Sequence, residues 1–209
     1  MKIRRVGAAL IFCMIMALPL TARSETPIKG SYIELPGYSS TFDGKTVEII
    51  EFMSFYCGHC YKLERWIPVI RGNFPKKIRW KTLPMYWGKG SSKPGEAYLI
   101  AVDSGKGEEL KAAIFHANFV DHKDIGSIEL LEKLAGEVGL GFDFSMKLRG
   151  GEKADEAREA LKLANAYGLT ATPTLILDSN IMTSPTMTGP DMTLFVKNTT
   201  AILKGIFKR

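Results

Sequence analysis

Cysteine is scarce in this chain. Among 209 residues there are three, Cys13, Cys57 and Cys60. Cys13 sits inside an apolar run from Val6 to Leu20 that follows Lys2, Arg4 and Arg5. A basic start, a short apolar stretch and the small residue Ala22 have the form of a secretory leader, with cleavage expected after Ala22. The run is shorter than the roughly 20 residues that span a bilayer. Without the leader only Cys57 and Cys60 remain, which excludes a disulfide-stapled scaffold. The chain also lacks low-complexity tracts and internal repeats, and so is not a solenoid or a disordered linker. It lacks a strong charge excess as well. The formal charge is +6, and Lys2, Arg4 and Arg5 supply half of it. A mildly basic surface of this kind gives no reason to expect nucleic acid as a partner. At 45% hydrophobic and 24% charged residues, what remains is an ordinary globular composition.

The hydrophobic periodicity orders the elements. Strand patterns cover 31–35, 46–54 and 78–83, and the second is rich in β-branched and aromatic residues. Between the last two, apolar positions 60, 63, 66, 67 and 70 have helical spacing, with Pro68 expected to kink the helix. From 93 to 167 the pattern is helical, with Ser127 placed to cap one helix. Strand character returns at 174–177 and 181–183 around the turn-forming Asp178, Ser179 and Asn180. Pro190 and Asp191 open a last helix. A helical block inside one α/β domain explains this order, because two separate domains would leave the final hairpin without a sheet to join. The expected division is a leader at 1–22, a sheet domain at 23–92 and 168–209, and a helical insertion at 93–167.

The stretch FYCGHCYK, Phe55 to Lys62, carries the chemistry. Structural zinc needs four ligands, and the neighbouring candidates do not supply them: His116 and His122 are wrongly spaced for a zinc finger. Two idle thiols in an oxidising compartment are a liability. A redox pair has a mechanism. A strand ends, the chain turns, and Cys57 lies at the start of a helix, whose partial positive charge favours a thiolate. Cys60 falls in the first turn, close enough to form a ring with Cys57. Gly58 is expected to permit the tight turn, and His59 to add a donor and, when protonated, a charge. Glu51 shares a strand face with Val47, Ile49 and Met53. Either that face is locally exposed at Glu51, or a buried carboxylate lies beneath the cysteines and exchanges a proton with Cys60.

EFMSFYCGHCYKLE (51–64) resembles the active-site segment of the DsbA-like thiol-disulfide oxidoreductases, and YGLTATPTLIL (167–177) is similar to their cis-proline signature. The resemblance implies a thioredoxin fold with an inserted helical domain. It implies Cys57 as nucleophile, Cys60 as resolving cysteine, Gly58 and His59 as the dipeptide that tunes the potential, and Glu51 as the buried acid. It further implies Glu64 and Lys81 as charged neighbours of that acid, and Thr172 and Pro173 as the substrate-facing loop, where backbone pairs with an extended substrate. Gly58 stands where the best-known members carry proline, and Thr172 where they carry valine. The expected potential is therefore nearer the roughly −180 mV of protein disulfide isomerase than the roughly −120 mV of DsbA.

The expected activity is disulfide donation to reduced secreted proteins in the periplasm, with no cofactor or metal and with a membrane-bound reoxidase. A periplasmic reductase or isomerase is the alternative, and a peptide-binding chaperone a third. Too few residues separate Ala22 from Thr46 for the N-terminal dimerisation domain of an isomerase, so a monomer is expected. Met182, Met187 and Met192 are candidates either for a peptide groove or for core packing.

Overall fold

The computed structural model describes residues 27–87 and 90–209. The expected leader and Cys13 lie outside them. Five strands form one sheet in the order β1-β5-β4-β2-β3. They are β1 (Ile33–Glu34), β2 (Val47–Met53), β3 (Ile78–Pro84), β4 (Thr174–Leu177) and β5 (Ile181–Thr183). β2 pairs in parallel with β3 and antiparallel with β4. The parallel pair is joined by a crossover of two helices, α1 (Gly58–Glu64) and α2 (Ile67–Gly72). Five helices then follow before β4: α3 (Lys93–Asp103), α4 (Gly107–Phe119), α5 (Ile128–Glu137), α6 (Phe142–Gly150) and α7 (Ala154–Ala166). The chain ends in α8 (Met192–Ile206). This is the thioredoxin-like α/β arrangement with helices interposed between β3 and β4. No helix among the described residues is long and apolar enough to cross a membrane.

The alternation along β2 sets the layers. Val47 and Ile49 face a core made by Leu63, Ile67 and Ile70 of the crossover with Phe195, Ile202 and Leu203 of α8. Phe52 faces the opposite way, onto Ala160 and Ala164 of α7. Met53 continues the first face into a third cluster, built by α3 to α6, where it meets Phe55 and Cys60. The end of β2 and the start of α1 are thus wedged between the sheet's own core and that of the helices. Three contacts pin this turn. The Phe55 ring lies 5.0 Å from Phe115, Tyr61 stacks on Phe119 at 5.0 Å, and Asn118 Nδ2 donates to the Phe55 carbonyl at 2.9 Å.

Three boundaries differ from the periodicity. The first helix stops at Glu64 and a second begins at Ile67. Pro68 has no N–H to return to Glu64, so one continuous helix would leave that carbonyl without its bond. The strand expected over 31–35 contracts to two residues, because it pairs only with the three-residue β5. α6 was not separable by period. Its buried stripe is Phe144 and Leu148 alone, while Phe142 and Met146 stay exposed. Ser127 caps α5 as expected, accepting from the Leu130 amide, and Asp191 caps α8, accepting from the Thr193 amide.

The β4–β5 turn is tied to the N-terminal loop. Asp178 and Ser179 adopt left-handed backbone, and the buried Asp178 carboxylate accepts from Ser40 Oγ at 2.5 Å and the Thr41 amide at 2.8 Å. Asp178→Ala leaves these donors unpaired. It is expected to lower the unfolding free energy by about 1–3 kcal/mol, read from urea denaturation.

Candidate active site

Cys57 is the N-cap residue of α1, with extended backbone, and Cys60 lies one turn in. Both sulfurs are thiols in the structure, Cys57 half-buried and Cys60 fully buried. The Cys57 thiol donates to the Thr172 carbonyl at 3.1 Å. Thr172 precedes Pro173 through a cis peptide bond, as expected for this loop. The Ser54 amide donates to Cys60 Sγ at 3.4 Å. Two segments far apart in sequence therefore meet at the sulfurs.

The two thiols are electrostatically unequal. A hydrogen bond from Cys60 holds Cys57 down from 9.0 to about 5, with help from the Thr172 side chain and the amides of Cys60 and His59, against the opposing effect of burial. The Thr172 carbonyl favours the neutral thiol, but the four donors outweigh it. Burial pushes Cys60 well above its ordinary value, and the charges of Cys57 and Glu51 push the same way. Cys57 is the sulfur that ionises first and leaves most readily.

The dipeptide between them acts differently from expectation. His59 is exposed, and its backbone amide supports the Cys57 thiolate. Gly58 has ordinary helical backbone, and a Cβ there would meet only Phe119 at 3.8 Å. The turn does not require glycine. His59 also lines a groove of about 450 Å³ with Ala171, Thr172, Pro185, Thr186 and Pro190. Met182 and Met192 do not line it; they pack into the cores on the two faces of the sheet.

Beneath the cysteines, Glu51 is completely buried, so its strand face is not exposed there. Its Oε2 accepts from Trp80 Nε1 at 3.0 Å and Thr82 Oγ1 at 2.9 Å, while Oε1 has no hydrogen-bond partner. Glu64 lies in the same cluster, and burial raises its carboxyl to about 7. Lys81 does not join them. It pairs in register with Ile50, points to the opposite face of β3 from Trp80 and Thr82, and is exposed. The expectation that Lys81 neighbours Glu51 is corrected, because successive strand residues alternate faces. The buried cation is Lys111 of α4, with Nζ 3.2 Å from Glu64 Oε2 and 3.0 Å from Glu108 Oε2. Sequence reasoning missed Lys111. The available signal was its place between Leu110 and Ile114, on the border of an otherwise apolar face.

The family model for the DSBA-like thioredoxin domain matches residues 48–196, which contain every residue of this site. The chain belongs to the DSBA-like thioredoxin domain family. It is 28% identical over 178 residues to the thiol:disulfide interchange protein DsbA of Azotobacter vinelandii, covering 83% of each chain. The crystal structure of Pseudomonas aeruginosa DsbA shares its fold with a TM-score of 0.70 at 21% identity, over 86% of this chain and 91% of that one. The DsbA oxidoreductase of Xylella fastidiosa does so at 0.68 and 20%, over 86% and 94%. Within this DSBA-like fold, the cluster formed by Glu51, Glu64 and Lys111 draws its cation from the helices interposed between β3 and β4.

Thiolate ultraviolet absorbance of the reduced protein is expected to rise with a midpoint near about 5. Cys60→Ala removes the largest stabilising contact and should move that midpoint upward; a wild-type midpoint near 9.0 would contradict the geometry. The folded value is depressed, so reduced Cys57 stabilises the fold fully above its unfolded value and loses this as pH falls through about 5. Comparing urea midpoints of wild type and Cys57→Ser under reducing conditions should show the gap close over that window.

Proposed function

We propose that this chain is a thiol-disulfide oxidoreductase that passes a Cys57–Cys60 disulfide to reduced secreted proteins. The unequal pair of thiols carries the reading. A substrate thiolate attacks Cys57 Sγ, the Cys57–Cys60 bond breaks, and its electron pair goes to Cys60, which takes up a proton. A second substrate thiolate then attacks the substrate sulfur of the mixed disulfide. The substrate leaves oxidised and Cys57 leaves as a thiolate. Donors that hold this thiolate stabilise the reduced enzyme and so make its disulfide oxidising.

The value of about 5 for Cys57 lies between the thioredoxin value of about 7 and the DsbA value of about 3.5. This supports an intermediate potential. Glu51, buried with one oxygen unpartnered, serves as proton donor and acceptor for Cys60. The backbone at Thr172 and the adjoining groove bind an extended substrate segment by strand addition. Each cycle leaves two electrons on the enzyme, so an oxidant must regenerate its disulfide, and the family resemblance supports a membrane-bound reoxidase in that role. The expected leader supports action in the periplasm, and the short segment before the first β2 residue supports a monomer.

The test uses a reduced, unfolded substrate protein. The oxidised wild type should restore its disulfides and Cys57→Ser should abolish transfer, while Cys60→Ser whose Cys57 has first been joined to glutathione by glutathione disulfide should exchange that glutathione for a substrate thiolate and accumulate the mixed disulfide through Cys57. Glu51→Gln should slow the exchange. Failure of Cys60→Ser to trap any covalent complex would rule out this order of attack. Alkylation-trapping in cells should find the pair mostly as disulfide; a mostly dithiol pool would point to reduction or isomerisation instead.

A further inference from the structure

The net charge conceals a division. Residues 93–167 carry 10 Lys and Arg against 14 Asp and Glu, a formal −4. Residues 27–92 and 168–209 carry 14 against 7, a formal +7. The ion pairs divide the same way. Cations of the inserted helices have carboxylate partners, as Arg149 has Glu132 and Lys153 has Asp103. Lys29, Arg65, Lys77, Lys197, Lys204 and Lys208 are exposed and have no ion-pair partner among the described residues.

These cations gather on one face. Leu194, Lys197, Ala201, Lys204 and Lys208 recur at intervals of three and four, which places them on one stripe of α8 and the turn that ends it. The stripe lies opposite Phe195, Ile202 and Ile206, which are buried in the sheet's core. No Asp or Glu occurs from Met192 to Arg209. A groove of about 380 Å³ between α2 and α8 is lined by Trp66, Val69, Lys197 and Lys204, among others. A second, of about 200 Å³, is lined by Pro27, Lys29, Lys204 and Lys208, among others. The two share Lys204, and neither has an acidic residue in its lining. Arg65 lies 5.8 Å from the Trp66 ring and Lys77 5.4 Å from the Phe207 ring, which extends the cationic surface. Apolar side chains stand among these charges: Val69 is 45% exposed and Leu194 48%.

Unpaired lysines, a tryptophan and exposed aliphatic side chains on one face suit the headgroup layer of an anionic bilayer. Two placements favour a bilayer over an acidic protein. The expected leader ends at Ala22, five residues before Pro27, and Pro27 lines the second groove. An apolar leader drawn into the bilayer during export would deliver these lysines to its surface. The stripe also begins beside the active site, since Pro190 lines the His59 groove and Asp191 caps α8.

We propose that this face docks the protein reversibly on an anionic phospholipid surface. α8 lies along the bilayer, with its lysines among the phosphates and Val69 and Leu194 in the headgroup layer. α7, on the other face of the sheet, turns to water. The His59 groove stays open at the rim of the contact, at the N-terminal end of α8. Docking goes beyond disulfide exchange and does not depend on it.

The test is sedimentation of the protein without its expected leader, mixed with vesicles of phosphatidylglycerol and phosphatidylcholine in equal parts. Wild type should sediment with them at low salt and stay in solution with phosphatidylcholine alone. It should come off as salt approaches about 1 M, where the screening length falls to about 3 Å. Lys197→Gln, Lys204→Gln and Lys208→Gln together should weaken partitioning about 100-fold, at about fivefold per cation. Lys133→Gln, Arg158→Gln and Lys162→Gln together remove the same charge from the inserted helices and should leave partitioning near the wild-type level. Equal losses in the two triple variants would show that net charge alone governs binding, which overturns the docking face. Failure of wild type to sediment with the anionic vesicles overturns the bilayer as partner and leaves an acidic protein. Should the first triple variant not fold, Lys204→Gln alone, at the lysine common to both grooves, should weaken partitioning about fivefold, and an unmoved value refutes the assignment. Disulfide transfer to a soluble substrate should match wild type in both triple variants, so loss of docking and loss of exchange are read separately.

Discussion

Cys57 and Thr172 meet at 3.1 Å although a long stretch of chain separates them. The rest of the molecule is organised around that contact. It requires β4 to return beside β2, which the antiparallel register from Ile49–Leu177 to Phe52–Thr174 provides. It requires α1 to start where β2 ends, so that the amides of the first turn point at the sulfur. It also requires the intervening helices to leave the sheet after β3 and return before β4 without disturbing that register. The aromatic contacts between Phe55, Tyr61, Phe115 and Phe119 meet this last requirement by fixing the turn against α4.

Polarity runs in opposite directions at the two sulfurs. Cys57 sits among donors at the surface and Cys60 in a dry core above a carboxylate. Exposure therefore directs attack to Cys57, and in the mixed disulfide that results Cys57 is the sulfur that leaves readily. The cost is a set of buried charges. A cluster of Glu51, Glu64 and Lys111 does not maximise stability, because well-packed apolar residues of similar volume often do better. Its retention is understandable where protonation must change during turnover.

Much of the fold was legible because it rests on local patterns. Alternation in β2, the Ser127 and Asp191 caps and the Asp178–Asn180 turn depend on neighbouring residues alone. Pro68 also announced its break, since a missing N–H is a property of the residue. α6 was not legible, because its buried stripe has only two members. Lys81 and Lys111 show the limit most clearly. Their charges are equal and both lie in regular elements. Only the strand phase, which turns Lys81 away from Thr82, and the placement of α4 over α1 decide which one reaches Glu64.

The sequence by itself determined the pair of cysteines, their place between strand and helix, the Thr172–Pro173 loop and the acid at position 51. The cysteines, their place and the acid follow from residue type, spacing and local backbone preference, and the loop from the family resemblance. Tertiary structure decided that Glu51 is buried with an unpartnered oxygen, that His59 contributes an amide, that Gly58 is not required by the turn, and that Lys111 is the buried cation. The burial of Glu51 and the place of Lys111 depend on distances between elements far apart in the chain. Burial and electrostatic coupling arise only once those elements pack together.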